Sequence, residues 1–159
     1  MEDLAERDLD DEHPALLFHH YWTTLPRRDG LPLRRAFKPA EIPAALPWIL
    51  AFDAQQGPQA LGFQVRLHGT KAVDMTHGDF TGCMLEEFVT GDCLESRRRM
   101  LSSALEQKRA VYGMVKISSH CEYITNARMG VFPFVREAPG QWQVFVVVAP
   151  DNVDLRRLM

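Results

Sequence analysis

At 159 residues the chain is long enough for one domain with a real core and too short to expect two. With 46% hydrophobic and 25% charged residues it is neither fibrous nor disordered in composition. A net charge of -3 gives no reason to expect nucleic acid or an acidic membrane surface as a partner.

Residues 1–12 are acidic and read as a mobile tail, unlike a signal peptide, which needs a basic start and an apolar run. From Pro14 the spacing of Leu17, Phe18, Tyr21, Trp22 and Leu25 predicts a helix over 14–25, with Pro14 suited to its first turn and Pro26 to its stop. Residues 26–40, rich in Pro, Arg and Gly, read as a loop, and 39–46 as a short helix ending at Pro47. A buried strand is expected over 48–53 and a second over 61–68. In the second, alternation puts Phe63, Val65 and Leu67 on one face and Gln64, Arg66 and His68 on the other. Gly69 stops that strand. A short helix over 71–76 and a glycine-bounded loop over 78–82 follow. Residues 84–89 make about one helical turn. A longer helix is expected from Asp92, as N-cap, to about Lys108, with Leu94, Leu101, Ala104 and Leu105 on one face. Strands over 110–118, 122–135 and 142–149 then form an antiparallel meander. The plan is α+β, with the helices gathered in the middle of the chain.

The basic clusters Arg27-Arg28, Arg34-Arg35 and Arg97-Arg98-Arg99 read as solvated faces. Cys83, Cys93 and Cys121 lack paired spacing, which fits reduced thiols and a cytoplasmic protein. The longest apolar run, residues 144–149, is too short to cross a bilayer. No nucleophile elbow, phosphate-binding glycine loop or kinase motif is present, so no catalytic residue is assigned. His77, Asp79 and Cys83, or the adjacent His19 and His20, lack metal-binding spacing, and no metal is expected.

The order of elements resembles a PAS domain, and in detail the bacterial, mainly alphaproteobacterial, subfamily PAS_5. The resemblance rests on Tyr21-Trp22, Leu31-Pro32, the 37–42 segment with Leu46-Pro47, residues 66–70, Gly78 with Thr81-Gly82, residues 131–134 and the closing 144–148 strand. It covers about residues 14–150. It implies a five-stranded antiparallel sheet with helices over one face and an extra N-terminal helix. The implied division is a tail over 1–12, the N-terminal helix and connecting segment over 13–47, a PAS core over 48–150, and a C-terminal tail over 151–159.

It also implies a stand-alone cytoplasmic sensor or adaptor, not an enzyme, that signals by protein–protein contact. A small ligand would sit between sheet and helices, among Phe52, Val65, Leu67, His68, Met75, Phe88, Leu101, Val131 and Phe145. The same residues also suit a plain packed core. Phe18, Tyr21, Trp22 and Leu25 form a broad apolar face, either a homodimer interface or a surface packed on the chain's own sheet. Arg66, Gly69 and Gly82 are expected to be structural, Arg66 by tying the strand end to the helical layer. The alternative function is a haem or flavin sensor, or an enzyme on a PAS scaffold; the residues require no cofactor. Flavin-binding PAS relatives carry a reactive cysteine at the position that Leu85 occupies here, two residues beyond Cys83. Haem-binding relatives take a histidine from the long helix, which has none here, leaving His68 and His120 as candidates.

Overall fold

The structure, a computed structural model, describes residues 2–5, 9, 11–118 and 124–151. Its elements in order are β1 (Glu2–Leu4), α1 (Pro14–Thr24), a small hairpin of β2 (Arg27–Arg28) and β3 (Leu31–Pro32), β4 (Ile49–Gln56), β5 (Leu61–His68), α2 (Thr70–Thr76), α3 (Gly91–Gln107), β6 (Val111–Ser118), β7 (Ile124–Val135) and β8 (Gln141–Pro150). Single 3₁₀ turns punctuate the connections at Arg34–Ala36, Pro39–Glu41, Leu46–Trp48 and Leu85–Glu87. The expected short helix over 39–46 is therefore two separate turns, since Pro43 and Pro47 leave too few backbone N–H groups for a continuous ladder.

The five long strands form the expected antiparallel sheet, in the order β6-β7-β8-β4-β5. A sixth, β1, adds to the free edge of β6 through the pairs Glu2↔Met114 and Leu4↔Tyr112. Part of the acidic segment read as a mobile tail is thus a paired strand, because an edge strand offers unpaired backbone groups to any nearby chain. Residues 1, 6–8 and 10 of that segment, and 152–159 of the C-terminal tail, lie outside the described residues.

Both faces of the sheet are covered. On one face lie Ile49 and Ala51 of β4, Phe132 and Phe134 of β7, and Phe145, Val147 and Ala149 of β8, packed against α1 and the connecting segment. On the other lie Leu50, Phe52 and Ala54, Met129 and Val131, and Val144, Val146 and Val148, packed against α3 and the chain before it. Burial on both faces is why β8 reads as a continuous apolar run rather than an alternation.

α1 closes the first face. His13 caps it, with Nδ1 accepting from the Ala15 N–H at 3.1 Å while Nε2 lies 3.0 Å from the Ala149 carbonyl of β8. Phe18 is fully buried among Phe37, Phe132, Phe134 and Phe145, with ring centroids 4.8–6.3 Å away. The Trp22 indole donates to the Pro133 carbonyl at 3.1 Å. Pro133 lies beyond the last β6–β7 pair, Val111↔Val131, so its missing N–H breaks no ladder. The aromatic face expected as a possible association surface is therefore turned inward. Phe18, Trp22 and Leu25 are buried and Tyr21 is half-buried, donated to by the Lys38 N–H at 2.9 Å. The physical reason is that the sheet's second face is as apolar as its first and must also be covered.

The connecting segment is tied down by polar contacts. Arg34 Nε donates to Gln143 Oε1, and Gln143 Nε2 donates to Asp53 Oδ1 at 2.7 Å. The Arg34 guanidinium stacks 5.2 Å from the ring centres of both Phe37 and Phe145. α3 starts two residues earlier than an Asp92 cap would place it. Thr90 is its cap residue, without a side-chain bond, and Asp92 stands inside the first turn, where a carboxylate favours the helix dipole.

Candidate functional site: a cavity between the sheet and the helical layer

The end of β5 decides how the helical layer meets the sheet. Pairing with β4 runs Ala51↔Leu67 and then Phe52↔Val65, so Arg66 is an extra residue, a β-bulge. A bulge reverses the alternation beyond it. Leu67, expected on the cavity face, is 43% exposed, whereas the His68 side chain, expected to face outward, has no exposed surface. Arg66 itself is exposed and makes no hydrogen bond or ion pair among the described residues, so it does not tie the layers together.

His68 does that instead. Its Nδ1 accepts from the Phe80 N–H at 3.2 Å, and its Nε2 lies 3.1 Å from Thr76 Oγ1. An accepting Nδ1 leaves the proton on Nε2, which donates to Thr76; the Thr76 hydroxyl in turn donates to a carbonyl, with Ala72 at 3.1 Å and Gly78 at 3.0 Å in reach. Burial holds the imidazole below its ordinary pKa, against the opposing pull of the Ala72 backbone carbonyl and of Asp79, whose carboxylate stands 3.7 Å from Nδ1. Asp79 is itself engaged with Thr81, accepting from its hydroxyl at 2.6 Å and its N–H at 3.0 Å, which lowers the Asp79 pKa. The result is a neutral imidazole that joins α2 to the 78–82 loop.

The two glycines of this region act differently. A Cβ on Gly69 would stand 2.6 Å from the carbonyl oxygens of both Leu46 and Pro47, so Gly69 allows a close backbone approach. Its own φ of -65° is ordinary, so the break after β5 does not depend on an unusual angle. Gly82 is needed for its φ of +87°. From there the chain runs along the outer edge of β5, with the Gly82 N–H donating to Val65 O at 2.8 Å and the Val65 N–H to Cys83 O at 2.9 Å.

Between this layer and the sheet lies a cavity of about 240 Å³. The floor comes from Leu50, Phe52, Val131, Val146 and Val148 of the sheet, and the roof from Met75, Phe80, Leu85, Phe88, Met100 and Leu101. Phe80 and Phe88 stack in parallel at 4.5 Å between centroids, forming one wall. Val89, Val115 and Met129 also line it, and its polar residues are Thr76, His77, Arg97 and Lys116.

Of the residues expected to line a ligand site, Phe52, Met75, Phe88, Leu101 and Val131 do line this cavity. Val65 is buried in the same core beside it, and His68 braces its roof from behind. Leu67 is outside it because of the bulge. Phe145 lies on the opposite face of the sheet, against Phe18, because its neighbours Val144 and Val146 take the cavity side. The sequence reading missed Arg97, grouped with a solvated basic run. A signal was available: Arg97, Leu101, Ala104 and Leu105 fall at i, i+4, i+7 and i+8 on one helix stripe. Leu85 lines the cavity, whereas Cys83 and Cys93 do not. His120 and Cys121 lie outside the described residues. Among the described residues, no three His, Cys, Asp or Glu side chains gather as a metal site, and no helix is long and apolar enough to cross a membrane.

Several solved structures align with parts of this chain. A fungal LOV domain photoreceptor aligns with 64% of this chain and 74% of its own at 10% identity and a TM-score of 0.42. A single-residue variant of RsLOV aligns over 70% and 66% at 11% identity and a TM-score of 0.46. An RNA-binding light-oxygen-voltage receptor aligns over 79% of this chain and only 36% of its own, at 15% identity and a TM-score of 0.45. At these values nothing about ligand or partner passes from them to this chain. A comparison with curated protein sequences finds no match. The family model for PAS_5, a PAS domain, matches residues 11–148, from the cap of α1 to the last strand. PAS domains are sensory signalling modules rather than catalysts, and with the sheet, the helical layer and the match all in agreement, the chain belongs to the PAS_5 family of PAS domains.

Proposed function

We propose that this PAS domain is a sensor or adaptor that holds a small molecule in the cavity between the sheet and the α2–α3 layer and signals through contact with a protein partner. The observation that carries the reading is the 240 Å³ space itself, lined mostly by apolar side chains of the sheet and the helical layer. Protein interiors rarely leave voids larger than a water molecule. The volume is somewhat below the ~300 Å³ at which ordinary ligand pockets begin, which favours a small ligand. Three methionines in the lining, Met75, Met100 and Met129, supply flexible and polarisable walls that adapt to an occupant. Because α1 is spent on the sheet, self-association through its aromatic face is not part of the proposal. The free cysteines Cys83 and Cys93 support a reducing, cytoplasmic setting.

Native mass spectrometry of the purified chain tests the reading, together with a visible absorption spectrum. An added small-molecule mass is the expected result, and a flavin or haem band would move the assignment to a cofactor-based sensor. A ligand at a hundred times its Kd stabilises by about 2.7 kcal/mol, or roughly 5–10 °C in Tm for a chain of this length. An empty mass, with no thermal shift from any small apolar compound, would overturn the proposal.

A further inference from the structure

Two cations, Arg97 and Lys116, stand in the cavity lining. Arg97 reaches the cavity from α3, and its Nη1 lies 3.8 Å from the thioether sulfur of Met129, another lining residue. Other arginines have carboxylate partners: Arg98 with Glu86 at 3.0 Å, Arg128 with Asp151 at 2.8 Å, Arg35 with Glu137 at 3.2 Å and Arg136 with Asp53 at 3.4 Å. Among the described residues Arg97 has none, although it is half-buried. Lys116 of β6 joins it at the open side of the cavity, and it too pairs with no carboxylate among the described residues. Asp92 and Glu95, in the surface groove that adjoins Arg97 and Lys116, form no ion pair with either. A guanidinium taken partly out of water with only a sulfur to face is costly unless something anionic completes it.

We propose that the ligand is a small organic acid with an apolar body, its carboxylate held by Arg97 and Lys116 and its body lying between Phe80, Phe88, Leu101 and the sheet. This rests on the cavity reading above and deepens it. The planar guanidinium suits two-point contact with a carboxylate, and Lys116 adds a flexible second charge from the solvent side. At about 30 Å³ for each water-sized group, the cavity holds roughly eight such groups, the size of a medium-chain or simple aromatic acid.

The test titrates octanoate, 1-octanol and octylamine into the full chain by calorimetry, then repeats the series with Arg97→Met. The expected result is octanoate binding at least tenfold tighter than octanol, with octylamine weakest. Arg97→Met, which keeps an apolar stem, should bring octanoate down to the octanol level and leave octanol unchanged. Arg97→Lys should retain part of the preference. Should Arg97→Met fold poorly, Lys116→Gln at the open side serves instead, with a severalfold loss for octanoate alone. Octanol binding as tightly as octanoate would overturn the acid proposal while leaving the cavity reading in place. Binding of none of the three overturns both.

Discussion

Replacing Gly69 by alanine tests whether the junction between sheet and helical layer is as tight as the geometry requires. The added methyl group would meet the Leu46 oxygen at 2.6 Å, the Pro47 oxygen at 2.6 Å and the Pro47 carbonyl carbon at 2.8 Å, where ordinary contact begins near 3.4 Å. All three are backbone atoms, so no side chain can swing away. The 46–48 turn or the start of α2 must shift by about 0.8 Å, the difference between 3.4 and 2.6 Å. That movement also stretches the bond from the Gly69 N–H to Ile49 O, now 2.7 Å. Overpacking of this kind costs about 1–3 kcal/mol, and a weakened buried hydrogen bond about 1 more. The sum, about 2–4 kcal/mol, corresponds to a fall of roughly 4–16 °C in Tm for a chain of this length. Urea denaturation followed by circular dichroism measures the free energy, and a thermal scan the midpoint. Gly62→Ala is the control, since its methyl would meet the end of the Met84 side chain at 3.4 Å and Gln55 O at 3.9 Å, both ordinary contacts, and should change stability by less than about 0.5 kcal/mol. If Gly69→Ala melts within a degree or two of the unaltered protein, the close approach is wrong and so is the account of how α2 is seated.

Other expectations follow from the same packing. His68→Ala should cost about 2–3 kcal/mol at pH 7.5, because the Phe80 N–H loses its acceptor and Thr76 its donor in a buried setting. Its pH dependence has a defined sign. The folded imidazole sits below the ordinary value of about 6.5, so under acid conditions the unfolded chain takes up the proton first. The stability contributed by His68 is complete above pH 6.5 and is lost as pH falls through the lower folded pKa, so the gap to His68→Ala should narrow toward pH 5 in urea titrations. A constant or widening gap would show the ring to be protonated in the fold. Leu67→Lys should be nearly neutral in a melting assay, whereas Val65→Lys, two residues earlier and 1% exposed, should prevent folding; equal effects would remove the bulge at Arg66. Phe18→Ala should destabilise by about 3–5 kcal/mol, read from the urea midpoint, because five aromatic side chains lose their common centre; a loss under 1 kcal/mol would mean α1 is not seated on the sheet.

Local signals in the chain were enough to determine the order of the main elements, though not the short strands β1, β2 and β3. The helix over Pro14–Thr24, the strand over Leu61–His68 and the meander of β6, β7 and β8 follow from apolar period, proline positions and glycine breaks, all of which act over a few residues. The PAS resemblance rested on that order and spacing, and the family match covers the same span.

The facing of particular side chains was decided only by the tertiary structure. In β8 every residue from Val144 to Ala149 is apolar, so period two cannot say whether Val144 or Phe145 meets the helices; the answer depends on what covers each face. At the end of β5 the alternation is legible but misleading. The pairing with β4 inserts Arg66 as an extra residue, which sends Leu67 to solvent and His68 into the core. Arg97 turns inward because its helix stripe is set by Leu101 and Leu105, and a long polar side chain on the buried stripe must point its charge at whatever space the packing leaves. Chain-local chemistry thus specified the scaffold, and the long-range pairing of strands and layers selected which of its residues surround the cavity.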